Sequence, residues 1–321
     1  MAIALQSILG KRSSVYESEW FPDECRRIER SFKKLDSQIL EWDDERQHAA
    51  IQSGDQEDFE RESDMVISKT FEVMEMKGLP PMQHPDRNQL IFMVRPCYKK
   101  LFDLIMKDVQ SKINANITVT GNPGIGKSGF YLYFIWRITK EGLPYRITKE
   151  GPQKLSHLVI NCGKRYHVHE NKEFVELVSE QERNRFQDSA DVFRLVDGWS
   201  DALEGWQGTT VLFASAGTPG MHQYMKASNA PIFVMPPWGL EELLICNEAC
   251  ELGLKAEDIR KEFSFFGGIP RFIFSKEIEE RRSQVEGAIS SEDCKGILNY
   301  VKANREVREK EYSHYVLKMV P

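Results

Sequence analysis

Residues 115–138 read ANITVTGNPGIGKSGFYLYFIWRI, and they decide the fold. Gly121–Ser128, GNPGIGKS, fills every position of the pattern GxxxxGK[ST], with a β-branched run before it and a long apolar run after it. That order of strand, glycine-rich loop and helix is how a backbone wraps a chain of phosphates: glycines admit close approach, and the following helix brings its positive end to the anion. Gly121, Asn122, Pro123, Gly124, Ile125, Gly126, Lys127, Ser128 and Gly129 are therefore the expected nucleotide-binding residues. Lys127 would reach the β and γ phosphates as a point charge, and the Ser128 hydroxyl would take one coordination position on Mg²⁺. A glycine turn without a ligand has no use for Lys-Ser at those two positions.

Such a loop needs an acid at the end of a neighbouring strand, and Asp197 in VFRLVDGW is the best placed, as a second Mg²⁺ contact beside Ser128. Arg194 interrupts that apolar run, and no glutamate follows Asp197 directly. Asp201 and Glu204 are the expected water-orienting acids, with the start of a surface helix as their other reading. Ser215, closing TTVLFASAG, is a candidate γ-phosphate sensor or a plain cap. Arg271 in GGIPR is a candidate for neutralising transition-state charge, or a surface ion-pair arginine.

Outward from the loop, short apolar runs recur at Ile117–Thr120, Leu158–Asn161, Val192–Asp197, Thr209–Ala214 and Ile232–Met235, and the pattern predicts a helix over Cys97–Asp108. Most of the gaps between runs are long enough for crossover helices. The expected fold is a three-layer α/β domain with a parallel sheet, carrying the P-loop. Residues 81–237 would form this core and 238–321 a helical C-terminal region, with turns at Gly253 and Gly267–Pro270. Residues 1–80 carry 11 Lys+Arg against 18 Asp+Glu and read as an acidic helical leader and linker. Ile28, Phe32, Leu35, Ile39 and Trp42 recur at helical spacing, Asp43–Asp64 is a charged linker, and Met65–Met76 is a second amphipathic segment before the boundary GLPPMQHPD.

The rest of the chain is 32 Lys+Arg against 31 Asp+Glu, which argues against a strongly basic nucleic-acid-binding domain. With 41% hydrophobic and 29% charged residues in 321, the composition is that of a soluble globular protein. No apolar stretch reaches the roughly 18 residues of a membrane span, and MAIALQSILGKR has no basic n-region of a signal peptide. Six cysteines without CxxC spacing fit reduced thiols in an intracellular compartment. Cys162, His167 and His169 read as a wet surface loop rather than metal ligands, and Cys246 with Cys250 as core packing on a helix.

Taken in order, FMVRPCYKKLFDLIMKDVQSKINANITVTGNPGIGKSGFYLYFIWRI, LVDG, MPPWGLEEL, GGIPR and SHYVLKMVP resemble the P-loop NTPase module shared by Crinkler effectors and retrotransposon hot spot proteins, over about residues 78–321. The resemblance implies a P-loop NTPase of the additional-strand type, an ATPase core related to AAA+ and signal-transducing NTPases, with a helical region after the sheet. It places Lys127 and Ser128 in the Walker A motif, Asp197 in Walker B, and Arg271 as the GGIPR arginine. It also implies a nuclease-like module, DNA or a host protein as partner, and secretion or a host nucleus as destination. The expectation is then an Mg²⁺-dependent nucleoside triphosphatase, ATP rather than GTP, acting as a switch. Two rivals stand beside it: a phosphotransferase using Lys164, Arg165, Arg183 and Arg185 around its acceptor, and a scaffold that binds ATP without cleaving it.

Overall fold

The computed structural model describes residues 15–16, 20–33, 66–82, 90–111, 116–148, 151–198, 203, 205–215 and 231–291. In chain order its elements are β1 (Val15–Tyr16), β2 (Arg26–Lys33), β3 (Val66–Glu75), β4 (Ile91–Val94), α1 (Pro96–Ser111), β5 (Asn116–Thr120), α2 (Lys127–Glu141), β6 (Tyr145–Thr148) and β7 (Gly151–Lys154). There follow β8 (His157–Cys162), β9 (Arg165–Glu170), β10 (Glu173–Glu176), α3 (Glu180–Gln187), β11 (Val192–Asp197), β12 (Thr209–Phe213), β13 (Ile232–Val234), α4 (Leu240–Ala249), α5 (Ala256–Phe266), α6 (Pro270–Ile273) and α7 (Ile278–Ser291). Among the described residues, no helix is long and apolar enough to cross a membrane.

The central sheet is mixed and mostly parallel. Its order is β1-β10-β9-β8-β11-β12-β5-β13, with β8, β11, β12, β5 and β13 parallel to one another and β9, β10 and β1 added antiparallel at one edge. The five parallel strands are the five apolar runs of the sequence. Parallel strands place their C-terminal ends along one border, where ligands of open α/β sheets bind. Here that border carries Gly121 after β5, Asp197 at the end of β11, Ser215 after β12 and Met235 after β13.

One sheet face packs under α1 and α2. Phe130 and Phe134 of α2 meet Phe213 with ring centroids 5.6 and 5.8 Å apart, and the core runs on through Ile117, Val119, Leu195 and Val211. At about 25 cal/mol per Å² of apolar surface, burying rings of this size dominates the stability of the sheet. On the opposite face Phe186 of α3 packs on Val159, Tyr166, Val168 and Val192. Ser179 and Glu182 form a capping box that starts α3, and Gly142, at φ 89°, stops α2.

The leader departs from its expected helix. Ile28 and Phe32 fall on β2, which pairs antiparallel with β3 from Arg26↔Val73 to Lys33↔Val66, and β3 takes up Val66–Glu75 of the expected segment Met65–Met76. A spacing of four is even, so it keeps two residues on one face of a strand as well as of a helix. Leu35, Ile39, Trp42 and the linker 43–64 lie outside the described residues. The sheet β2-β3-β4 runs across the boundary expected near residue 80, and Trp20 stacks on Phe174 of β10 at 5.0 Å.

The stretch after β8 also differs from a simple crossover helix. It makes the antiparallel pair β9 and β10, turning at Asn171 and Lys172 with φ 51° and 68°, before α3. His167 and His169 therefore lie on a strand and not on a wet loop, and His167 is buried.

Arg95, between β4 and α1, ties the N-terminal sheet to the helical region. It is 1% exposed, donates Nε and Nη2 to the two carboxylate oxygens of Glu242 at 3.0 and 2.9 Å, and donates to the carbonyls of Pro236 and Pro237 at 3.0 Å each. Removing one partner of such a pair strands the other's charge in a dry setting. Glu242→Gln is expected to cost about 3 kcal/mol, and the double change Arg95→Met with Glu242→Leu to recover most of it. Urea midpoints of the three chains check this, and equal midpoints for wild type and Glu242→Gln refute it.

Candidate functional site

The loop between β5 and α2 is held by its carbonyls. Ile125 O accepts from Trp238 Nε1 at 2.7 Å, Gly126 O from the Tyr98 hydroxyl at 2.9 Å, and Gly124 O from the Arg271 amide at 3.4 Å. In a trans peptide the N–H points opposite to the carbonyl. Fixing these three carbonyls outward therefore turns the amides of Ile125, Gly126 and Lys127 to the other side, toward the loop's interior.

The glycines are required by what surrounds them. Gly126, at φ 93°, caps α2 without a side-chain hydrogen bond, and a Cβ there would lie 3.0 Å from the Tyr98 hydroxyl. At Gly124, φ 82°, a Cβ would stand 2.5 Å from Arg271 Cβ. No L side chain fits either place.

Inside the loop, Lys127 Nζ donates to the carbonyls of Asn122 and Gly121 at 2.8 and 3.1 Å. It is buried, and its pKa falls from 10.5 to about 7: burial disfavours the ammonium most, the nearby Arg271 cation adds to that, and Asp197 works in the other direction. Ser128, the next residue, donates its hydroxyl to Asp197 Oδ1 at 2.9 Å. Asp197 is 2% exposed at the very end of β11. A row of amides, one cation and a hydroxyl beside a carboxylate are the chemistry of a polyphosphate with a hard divalent cation, whose oxygen ligands here would be Ser128 Oγ and Asp197.

The structure thus brings together Gly121–Gly129, Lys127, Ser128, Asp197 and Arg271. Ile125 is 1% exposed, and its side chain packs in the core and against Gly121, where a Cβ would lie 2.5 Å from Ile125 Cδ1. Ser215 lies two residues past Phe213, which is the register partner of Asp197 on β12. Asp201 and Glu204 lie outside the described residues.

Three contributors were not read from the sequence: Tyr98, Trp238 and Arg95. Arg95 holds Trp238 by stacking its guanidinium 4.7 Å from the ring and by gripping the two prolines before it. Beside Trp238 opens a groove of ≈ 520 Å³ whose walls include Pro96, Pro237, Trp238, Phe263, Glu241 and Gly268.

No family model and no curated protein matches this chain. Among solved structures, Drosophila ORC bound to DNA is 14% identical, with 67% of this chain and 59% of that chain covered and a TM-score of 0.34. The Thermotoga maritima RuvB Holliday junction branch migration motor is 13% identical, with 61% and 63% covered and a TM-score of 0.32. The chain spans about 60% of the length of each.

The lysine sets a pH dependence. An unfolded lysine keeps its proton up to its ordinary 10.5, whereas folded Lys127 releases it near 7, so between those values the unfolded chain binds more protons. Stability accordingly rises with pH across about 7 to 10.5, and below 7 the full cost of the buried ammonium is present. Lys127→Met is expected to stabilise the ligand-free chain at pH 7 by on the order of 2 kcal/mol and to abolish the rise. Parallel stability curves for the two chains across that range would refute the assignment.

Proposed function

We propose that the chain is a P-loop nucleoside triphosphatase that hydrolyses ATP with Mg²⁺. The observation that carries this reading is the Ser128 Oγ to Asp197 Oδ1 contact of 2.9 Å, made across two strands beside Lys127. Hydroxyl and acid stand 69 residues apart in the chain and meet beside the loop, where together they would hold a divalent cation. Bound Mg²⁺ would neutralise charge developing on the phosphates. Lys127 would bind and orient the terminal phosphates, the loop amides would exclude other geometries, and Arg271 would face the same charge from α6.

The strand order supports the additional-strand type. β12 lies between the loop strand β5 and the acid strand β11, so Asp197 faces Ser128 across a gap instead of from an adjacent strand. A sheet with α1 and α2 on one face and α3 on the other agrees with a three-layer arrangement. In this reading the base enters the groove beside Trp238, where Pro96, Pro237 and Phe263 supply apolar walls. The Crinkler and retrotransposon hot spot resemblance, with a nuclease module, DNA or a host protein as partner, belongs to this proposal through its sequence motifs alone.

Phosphate release and binding, measured with ATP and GTP with and without Mg²⁺, test it. Wild type is expected to release phosphate from ATP only with Mg²⁺. Asp197→Asn should lower kcat about 10²-fold, and Lys127→Ala should lose affinity about tenfold or more. Binding without release in the wild type would replace hydrolysis by the scaffold reading. ADP formed only with an added acceptor, with the phosphoryl group on that acceptor and no free phosphate, would replace it by phosphotransfer, and no binding at all would end the nucleotide reading.

A further inference from the structure

Cys246 and Cys250 stand one turn apart at the end of α4, with sulfurs 3.8 Å from each other. Cys246 is buried, while Cys250 is half-buried at the C-cap position. The Cys250 thiol donates to the Ile91 carbonyl of β4 at 3.3 Å, and four residues after Ile91 the chain reaches Arg95. Tyr98, whose hydroxyl fixes Gly126, follows three residues later. A dithiol is thus placed against the strand that leads into Arg95, which holds Trp238, and into Tyr98.

We propose that this pair is a modification site, at which a hydroperoxide oxidises Cys246 and Cys250 to a disulfide within α4. Cys250 is the sulfur that a peroxide reaches first. Its thiolate attacks one peroxide oxygen: an S–O bond forms, the O–O bond breaks, and the departing oxygen leaves as an alcohol, or as water from hydrogen peroxide, with the thiol's proton. The Cys246 sulfur then attacks that sulfenic sulfur, forming S–S and breaking S–O, and its proton leaves with the hydroxide as water. The two thiols lose two electrons and two protons, and the peroxide is reduced by the same two electrons. Cys250 is the more exposed of the two sulfurs and Cys246 is buried, so Cys246 takes the second step; the hydrogen bond with Cys250, followed by burial, also holds the Cys246 thiol well above its ordinary pKa.

The bond has a mechanical consequence. Sulfurs must close from 3.8 Å to about 2 Å, and Cβ atoms that are about 5–6 Å apart at this helical spacing must approach to about 4 Å. The helix interior resists this, so the give falls at Cys250, at φ −98° and ψ 6°, and at Glu251, which is already left-handed at φ 52°. The Cys250 proton that bonds Ile91 is lost in the reaction. β4 is then released from α4 just before Arg95, and the grip of Trp238 and Tyr98 on the loop carbonyls loosens. This second half rests on the nucleotide reading, whereas the disulfide does not.

The test treats the full chain with hydrogen peroxide, blocks remaining thiols with an alkylating agent and weighs the peptide holding both cysteines. The expected peptide is unalkylated, lighter by two hydrogens and restored by dithiothreitol, and it is absent from Cys246→Ser and Cys250→Ser. Oxidised wild type should bind ATP about fivefold more weakly than reduced, while the double variant Cys246→Ala with Cys250→Ala keeps its affinity after the same treatment. Both thiols remaining alkylatable, Cys250 accumulating as sulfinic acid beside an alkylated Cys246, or a disulfide to another cysteine would each overturn the site. A disulfide formed without change in ATP affinity would overturn its coupling to the loop. If reduced protein binds no ATP, the nucleotide reading fails and the mass still decides the disulfide.

Discussion

The indole N–H of Trp238 on the Ile125 carbonyl is the contact around which the glycine loop is built. A loop that turns its amides inward must send its carbonyls outward, and buried carbonyls need donors. Solvent could supply them, but solvent does not fix a direction. Here Trp238, in the connection between β13 and α4, and Tyr98, on α1, supply two of them, and each is itself immobilised. Trp238 N donates to Gly268 O at 2.9 Å, in a place so tight that a Cβ on Gly268 would lie 2.0 Å from Trp238 O. The glycine turn of the helical region is therefore in contact with the loop through one side chain, and it touches the loop again where Arg271 meets Gly124.

That rigidity holds an unfavourable charge arrangement in place. Burial and the Arg271 cation both disfavour the Lys127 ammonium, and Asp197 works in the other direction. Burial makes the ammonium's position costlier still, since a charge removed from water is compensated only by aligned partners. An anion seated on the loop amides would meet both cations and reverse the balance. The cost is borne by the folded chain before any ligand arrives, which is how a preorganised site binds without reorganising during the reaction.

What the sequence made legible was local. The glycine loop, the Lys-Ser pair and the five core strands announce themselves within a few residues, because backbone freedom, charge and a continuous apolar run are each written in adjacent positions. The N-terminal strands were not legible, since Ile28 and Phe32 are spaced by four, and four satisfies both periods. The β9–β10 hairpin did leave a mark: Tyr166 and Val168 alternate inward, and Asn171 stands where a positive φ is needed, but that signal is weaker than the expectation of a crossover helix. Tyr98 and Trp238 left none, because their roles depend on partners 28 and 113 residues away, and nothing about an isolated aromatic says which carbonyl it will meet.

Arg194, which looks like a flaw in the acid strand, is better understood as the device that sets its register. All six residues of β11, VFRLVD, are buried, so an apolar pattern alone does not choose between this alignment and one slipped by a residue. Arg194 chooses. Its Nε donates to Asn161 Oδ1 of β8 at 2.8 Å, and its guanidinium lies 4.1 Å from the Trp206 ring. A slip by one residue would carry the guanidinium to the opposite face, among Phe193, Leu195 and Phe213, where burying it without partners is prohibitive. The same alignment sets Asp197 opposite Phe213, at the sheet border, within reach of Ser128. One buried cation on the back of the sheet thus determines where the acid stands on its edge.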